Sequence, residues 1–308
     1  MNAKATVAVM VSVVTMGGAA GASSGSPAVQ DRATTVLAAI RTALGGEQKL
    51  TAVKAMSAEG PWRRTAGGRT ADSYVTLLVV RPGQLRRSDE QRFFGSLTER
   101  TSTFDGTQAW DETVNGTSGA FGGGHGDGGG GHGGGGFGAA GDHGGWDHGH
   151  EADGHESADA ANPTAGLTPE QLSQARLRRM KMELQRWTIA LLTDSKEPFV
   201  DAGRAESPDG PADVLETRDE MGRPVRYFID PMSHLPLMLQ YQEVQRAPRG
   251  PQTVAVNMRL SDYKTVDGVL LPHQIDIASS GQANESWTID AYKLNPKVKP
   301  NTFQRPTK

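Results

Sequence analysis

Apolar residues recur at three- and four-residue steps in two stretches of the chain and alternate with polar ones in most of the rest. The first helical stretch carries Val29, Ala33, Val36, Leu37, Ile40 and Leu44. Ser26-Pro27 supplies an N-cap and a first-turn proline, and Gly45-Gly46 supplies a stop. The second stretch is announced by Thr168-Pro169-Glu170-Gln171, a capping-box spacing with proline at the first position. Leu177, Met180, Leu184, Trp187 and Leu191 follow at steps of three and four, and the pattern ends before Glu197-Pro198. Both predicted helices have one apolar face, so each must lie on something apolar.

From Leu50 to Glu112 the period is two. Tyr74 to Val80 is rich in β-branched and large apolar residues, Arg81-Pro82-Gly83 stops it, and Asp105-Gly106 marks a hairpin leading to Ala109-Trp110. After Phe199 the strand pattern returns around 214–217, 225–229, 237–241, 254–260, 274–277 and 286–292. The turn signals between them are Asp219 to Gly222, Asp230-Pro231 and Asp267-Gly268. Helix, strands, helix, many strands is not the alternation of a doubly wound parallel sheet. The class expected is α+β: one curved antiparallel sheet with two amphipathic helices on one face.

Composition adds two segments to this frame. Lys4, the apolar run Ala5 to Met16 and Ala20-Gly21-Ala22 read as an export signal over residues 1–22, with Ser23 as the first mature residue. Residues 116–163 read as a disordered insertion between strands. Within it, residues 116–155 hold 20 of the 39 Gly and six of the eight His of the 308-residue chain. The domain is then expected to run over 23–115 and 164–308. A net charge of −3 argues against a nucleic-acid binder driven by bulk basic charge. The absence of Cys excludes a disulfide scaffold, a thiol nucleophile, a Cys-ligated zinc and a lipid-anchoring Cys.

Several short motifs occur in a fixed order. They are Arg81-Pro82-x-x-x-Arg86, Asp105-Gly106-x-x-x-Trp110, Tyr227 to Leu237, Asp262-Tyr263-Lys264 with Asp267 to Pro272, and Leu294-Asn295-Pro296 with Phe303 and Pro306. In this order they resemble the LolA/LolB-like lipoprotein-carrier superfamily, with the RseB-type regulators as relatives, over most of residues 28–306. The resemblance implies an unclosed antiparallel β-barrel, a half-barrel, with helices plugging its mouth and an apolar cavity for acyl chains. It implies that Arg81, at the position of the Arg-Pro pair, holds the lid helix. The Gly/His tract after Trp110 departs from the family pattern, and without Cys no LolB-type anchor is possible.

The residues that would line an apolar pocket are Leu77, Val79, Arg81, Leu85, Trp110, Met180, Leu184, Trp187, Tyr227, Leu237, Leu239 and Ile275. Apolar residues in such a pattern are more often plain core. His125, His132, His143, His148, His150 and His155 form a candidate weak Zn, Ni or Cu site without fixed geometry. Arg176, Arg178, Arg179, Lys181 and Arg186 make a basic face, either solvated or suited to peripheral contact with anionic lipid. No Gly-x-Ser-x-Gly, His-Glu-x-x-His or phosphate loop is present, so no catalytic residue is named. The expectation is a periplasmic, monomeric carrier or sensor of an apolar ligand or lipoprotein acyl chains. Alternatives are an envelope protein-interaction module without cargo and a metal-handling protein.

Overall fold

In the computed structural model, which describes residues 27–66, 68–93, 96–116, 168–207, 210–247, 250–279 and 284–306, strands follow one another through short turns in two antiparallel meanders. The first is β1 (Ala55–Ala66), β2 (Arg69–Val80), β3 (Gln84–Phe93), β4 (Ser96–Phe104) and β5 (Ala109–Gly116). The second is β6 (Val200–Ser207), β7 (Gly210–Arg218), β8 (Pro224–Ile229), β9 (Pro236–Ala247), β10 (Gly250–Val266), β11 (Val269–Ser279), β12 (Asn284–Thr288) and β13 (Ala291–Leu294). Three helices complete the fold: α1 (Pro27–Ala43), α2 (Glu47–Ala52) and α3 (Pro169–Leu192). Residues 1–22, read above as an export signal, and residues 117–163 of the expected Gly/His-rich insertion, with its six candidate metal ligands, lie outside the described residues, while Gly116 ends β5.

The two meanders merge into one sheet of order β5-β4-β3-β2-β1-β12-β11-β10-β9-β8-β7-β6. The join is β1, whose first half pairs with β13 and whose second half pairs with β12. Among the described residues β5 and β6 pair with one neighbour each, so the sheet is an unclosed antiparallel half-barrel. Directly opposed residues share a face. Register therefore carries one apolar stripe across the whole concavity, through Leu215, Tyr227, Leu239 and Met258 on one side and Leu260, Ile275, Trp287 and Trp62 on the other. Most of the buried apolar residues of both meanders and of the helices form a single cluster, with Trp110 and Val214 among those outside it.

The helices cover this face. α1 buries Ala33, Ile40 and Leu44 in the cluster, and its end is fixed by the Leu270 N–H donating to the Leu44 carbonyl. Gly45 and Gly46 both take positive φ, as their place after the helix requires. The short α2 departs from the expectation of extended chain from Leu50 onward: Leu50 is buried on a single helical turn, and the period-two pattern starts at Ala55. α3 has the capping box expected of Thr168 and Gln171, with Pro169 in its first turn. It crosses the mouth from β4 and β5 to the β7–β8 turn, with the Arg176 guanidinium donating to Asp111 early and the Gln185 amide donating to the Arg218 carbonyl late.

Candidate functional site

Leu77 and Val79 on β2, Leu85 on β3, Tyr227 on β8, Leu239 on β9 and Ile275 on β11 all face the concavity and are buried there with Met180, Leu184 and Trp187 of α3. At the centre the Trp287 ring lies 5.4 Å from both Trp62 and Trp187. Its indole N–H donates to the Gly60 carbonyl at 3.2 Å. Two of the residues expected in this group stand apart. Trp110 opposes Thr103, which opposes Arg86, which opposes Leu78, and this row lies on the convex face. Leu237 sits where β9 shifts register against β8 between Phe228 and Ile229, and it is 39% exposed. The extra residue turns its side chain away from the stripe.

The interior is occupied by the protein's own side chains. Met180, Trp187, Ile189, Leu191 and Leu192 of α3 are each no more than 2% exposed. The space between α3, β8 and β9, lined by Met182, Arg186, Val225 and Tyr241, is about 10 Å³, room for a single water. A cleft of about 200 Å³ lies elsewhere, between α1 and residues 193–199.

A row of ionic contacts fastens α3 along its length. Arg176 and Arg179 both donate to Asp111 on β5 at 2.9 Å. Burial works to raise the Asp111 carboxyl pKa, but the Ser102 hydroxyl and the two guanidinium groups outweigh it and hold the carboxyl below its usual value. Glu183 accepts from Arg87 on β3, whose guanidinium also pairs with Asp89 and lies 4.3 Å from the Trp62 ring centroid. Arg186 pairs with Glu243 on β9 and lies 4.3 Å from the Tyr241 ring centroid. Burial pushes the Tyr241 phenol up to about 12, with Arg186 opposing the shift. Burial also raises the Glu285 carboxyl, against the pull of Arg64 and Arg87. The basic face expected on this helix is thus largely consumed internally. Arg176, Arg179 and Arg186 each hold a sheet carboxylate, and Arg178 remains exposed.

The C-terminal end of α3 is held differently. Thr193 caps it in the left-handed region at φ 52°, 1% exposed, a costly position for a β-branched residue. Arg41 of α1 donates to both the Thr193 hydroxyl and its carbonyl at 3.2 Å, while pairing with Glu47. Arg81 pairs with Asp194 at 2.7 Å and donates to the Leu50 and Val53 carbonyls at 3.1 Å. It therefore ties the end of α3 to the end of α2. Sequence reasoning missed Glu183, Asp194, Glu243 and Trp287, although Trp287 sits in a visibly alternating strand.

His234 lies in the β8–β9 turn at φ 58°. The buried His273 shares a 2.7 Å hydrogen bond between Nδ1 and the Ile289 carbonyl, edge-on to Tyr292. Neither joins a cluster, and among the described residues no three His, Asp or Glu side chains gather as a metal site would require. No helix among them is long and apolar enough to cross a membrane.

No family model and no curated protein matches the sequence. Solved structures of LolA-superfamily proteins are similar to this chain. One, from Nitrosomonas europaea, is 8% identical, covers 89% of this chain and 97% of its own, and has a TM-score of 0.45. A DUF1329 family protein from Desulfovibrio piger is 8% identical over 90% and 97% of the two chains, with a TM-score of 0.43. An outer membrane lipoprotein-sorting protein domain from Vibrio parahaemolyticus is 9% identical over 88% and 97%, with a TM-score of 0.41.

Proposed function

We propose that the protein is an exported, periplasmic carrier or sensor that takes an apolar ligand, such as an acyl chain, against the concave face when α3 moves aside, with no chemistry of its own. The observation that supports this is the way α3 is mounted. Its apolar stripe fills a continuous apolar trough, while its hold on the rim consists of part-buried Arg–carboxylate pairs, whose desolvation cost offsets much of their attraction as long as each charge keeps a partner. An apolar trough gains roughly 0.8 kcal/mol per CH₂ buried, so a chain of a dozen carbons can compete with the helix for it. Arg81 and Asp194 act as the latch that keeps the helix seated.

The test is titration of the purified protein with a fluorescent long-chain fatty-acid probe, alongside Asp194→Ala and Arg81→Ala. Saturable binding, tightened severalfold in both variants, is expected. Folded variants that bind no better than an unliganded control overturn the reading. The filled interior favours a second reading, an envelope protein-interaction module of the same fold without cargo. That reading gains if neither the parent nor the latch variants take up the probe. The His-rich tract as a metal site is a separate proposal: calorimetry with Zn, Ni and Cu should show heat in the full chain and none after deletion of residues 116–163.

A further inference from the structure

The rim contacts are not equivalent once α3 is imagined away from the sheet. Asp111 loses Arg176 and Arg179 but keeps Arg100 at 3.8 Å. Asp89 keeps Arg87, which loses only Glu183. Glu285 keeps Arg64 at 3.3 Å. Glu243 is different: among the described residues its partner is Arg186, which leaves with the helix. Of these rim carboxylates, Asp89, Asp111 and Glu285 each keep a sheet guanidinium, and Glu243 keeps none among the described residues. The unmatched carboxylate is the one beside the Tyr241 ring, whose face already receives a guanidinium at 4.3 Å. A partly buried carboxylate stripped of its cation is costly, and an aromatic face next to it attracts positive charge further.

We propose that Tyr241 and Glu243 form a cation subsite, occupied in the closed form by Arg186 of the stopper helix, and that the ligand carries a cationic group on an apolar body. Arg186 is in this sense the protein's own stand-in for the ligand head. A neutral or anionic amphiphile that displaces α3 leaves Glu243 unpaired, whereas a cationic one replaces Arg186 in kind. The proposal rests on the apolar-ligand reading above and gives that ligand its charge.

The experiment compares dodecylammonium, dodecanoate and dodecanol, each below its micelle concentration, as competitors of a neutral fluorescent apolar probe on the full protein. Dodecylammonium is expected to bind about tenfold more tightly than dodecanoate, the ratio that ~1.4 kcal/mol of charge recognition produces. Glu243→Gln is expected to bring dodecylammonium and dodecanoate to equal affinity, while dodecanol, freed of the Arg186–Glu243 clamp, binds at least as tightly as to the parent. Arg186→Ala is expected to raise affinity for dodecylammonium more than for dodecanol. Equal binding of the three, or a preference for dodecanoate, overturns the cation subsite and leaves apolar binding standing. Failure of all three to bind, dodecanol included, overturns both.

Discussion

Trp287 shows how much one side chain can organise here. Its ring bridges Trp62 of the sheet and Trp187 of α3, and its N–H satisfies the Gly60 carbonyl where β1 changes partner from β13 to β12. Trp287→Phe keeps an aromatic ring and removes the hydrogen bond from the indole N–H to the Gly60 carbonyl, so a loss of about 1 kcal/mol is expected in urea denaturation. Trp287→Ala adds a cavity and should cost about 3–5 kcal/mol. A Phe variant as stable as the parent would show that the indole N–H does not matter. Asp111 offers a pH test at the same scale. Its folded pKa is lowered from 3.8, so its contribution is present above that value and is lost as pH falls through the folded pKa. The stability difference between the parent and Asp111→Asn should therefore be full at pH 6 and shrink as the pH drops below 4. A difference independent of pH would mean the carboxylate charge is not what holds Arg176 and Arg179.

At the level of elements, α3 was the most legible piece, and its limits are instructive. Thr168, Pro169 and Gln171 announced its start because capping chemistry is local. Thr168→Ala should cost about 1 kcal/mol and appear as faster hydrogen exchange confined to the first turns, whereas global unfolding would contradict the local role. The apolar stripe was readable from spacing. So was a second stripe beside it: Arg176, Arg179, Glu183 and Arg186 also step by three, four and three. What spacing did not supply were the partners, since Asp111, Arg87 and Glu243 lie on three strands that only the folded register brings to the helix. The same limit explains Trp110 and Leu237. Alternation groups residues by face but does not name the concave face, and a single-residue bulge in β9 reverses a side chain with no turn signal to mark it. α2 is too short for its one buried residue, Leu50, to form a period.

The whole molecule depends on the seam at β1, which unites strands more than 200 residues apart and makes one core of two meanders. Gly60 is the tight point of that seam. A Cβ there would meet the Thr288 carbonyl oxygen at 2.0 Å and the Asp290 nitrogen at 2.9 Å, both backbone atoms that cannot swing aside. Gly60→Ala must therefore push β1 away from the β12–β13 junction, and the Trp287 bond to the Gly60 carbonyl goes with it. Because the core cluster is continuous across the seam, the damage cannot stay in one meander. Urea unfolding followed by tryptophan fluorescence and by far-ultraviolet circular dichroism is expected to give coincident single transitions in the parent, and the same coincidence in Gly60→Ala with both midpoints lowered by the equivalent of about 1–3 kcal/mol. Two separated transitions, with one half of the strand signal surviving the other, would instead show that each meander is stable alone and that the apolar trough is a contact between two units, not a single core.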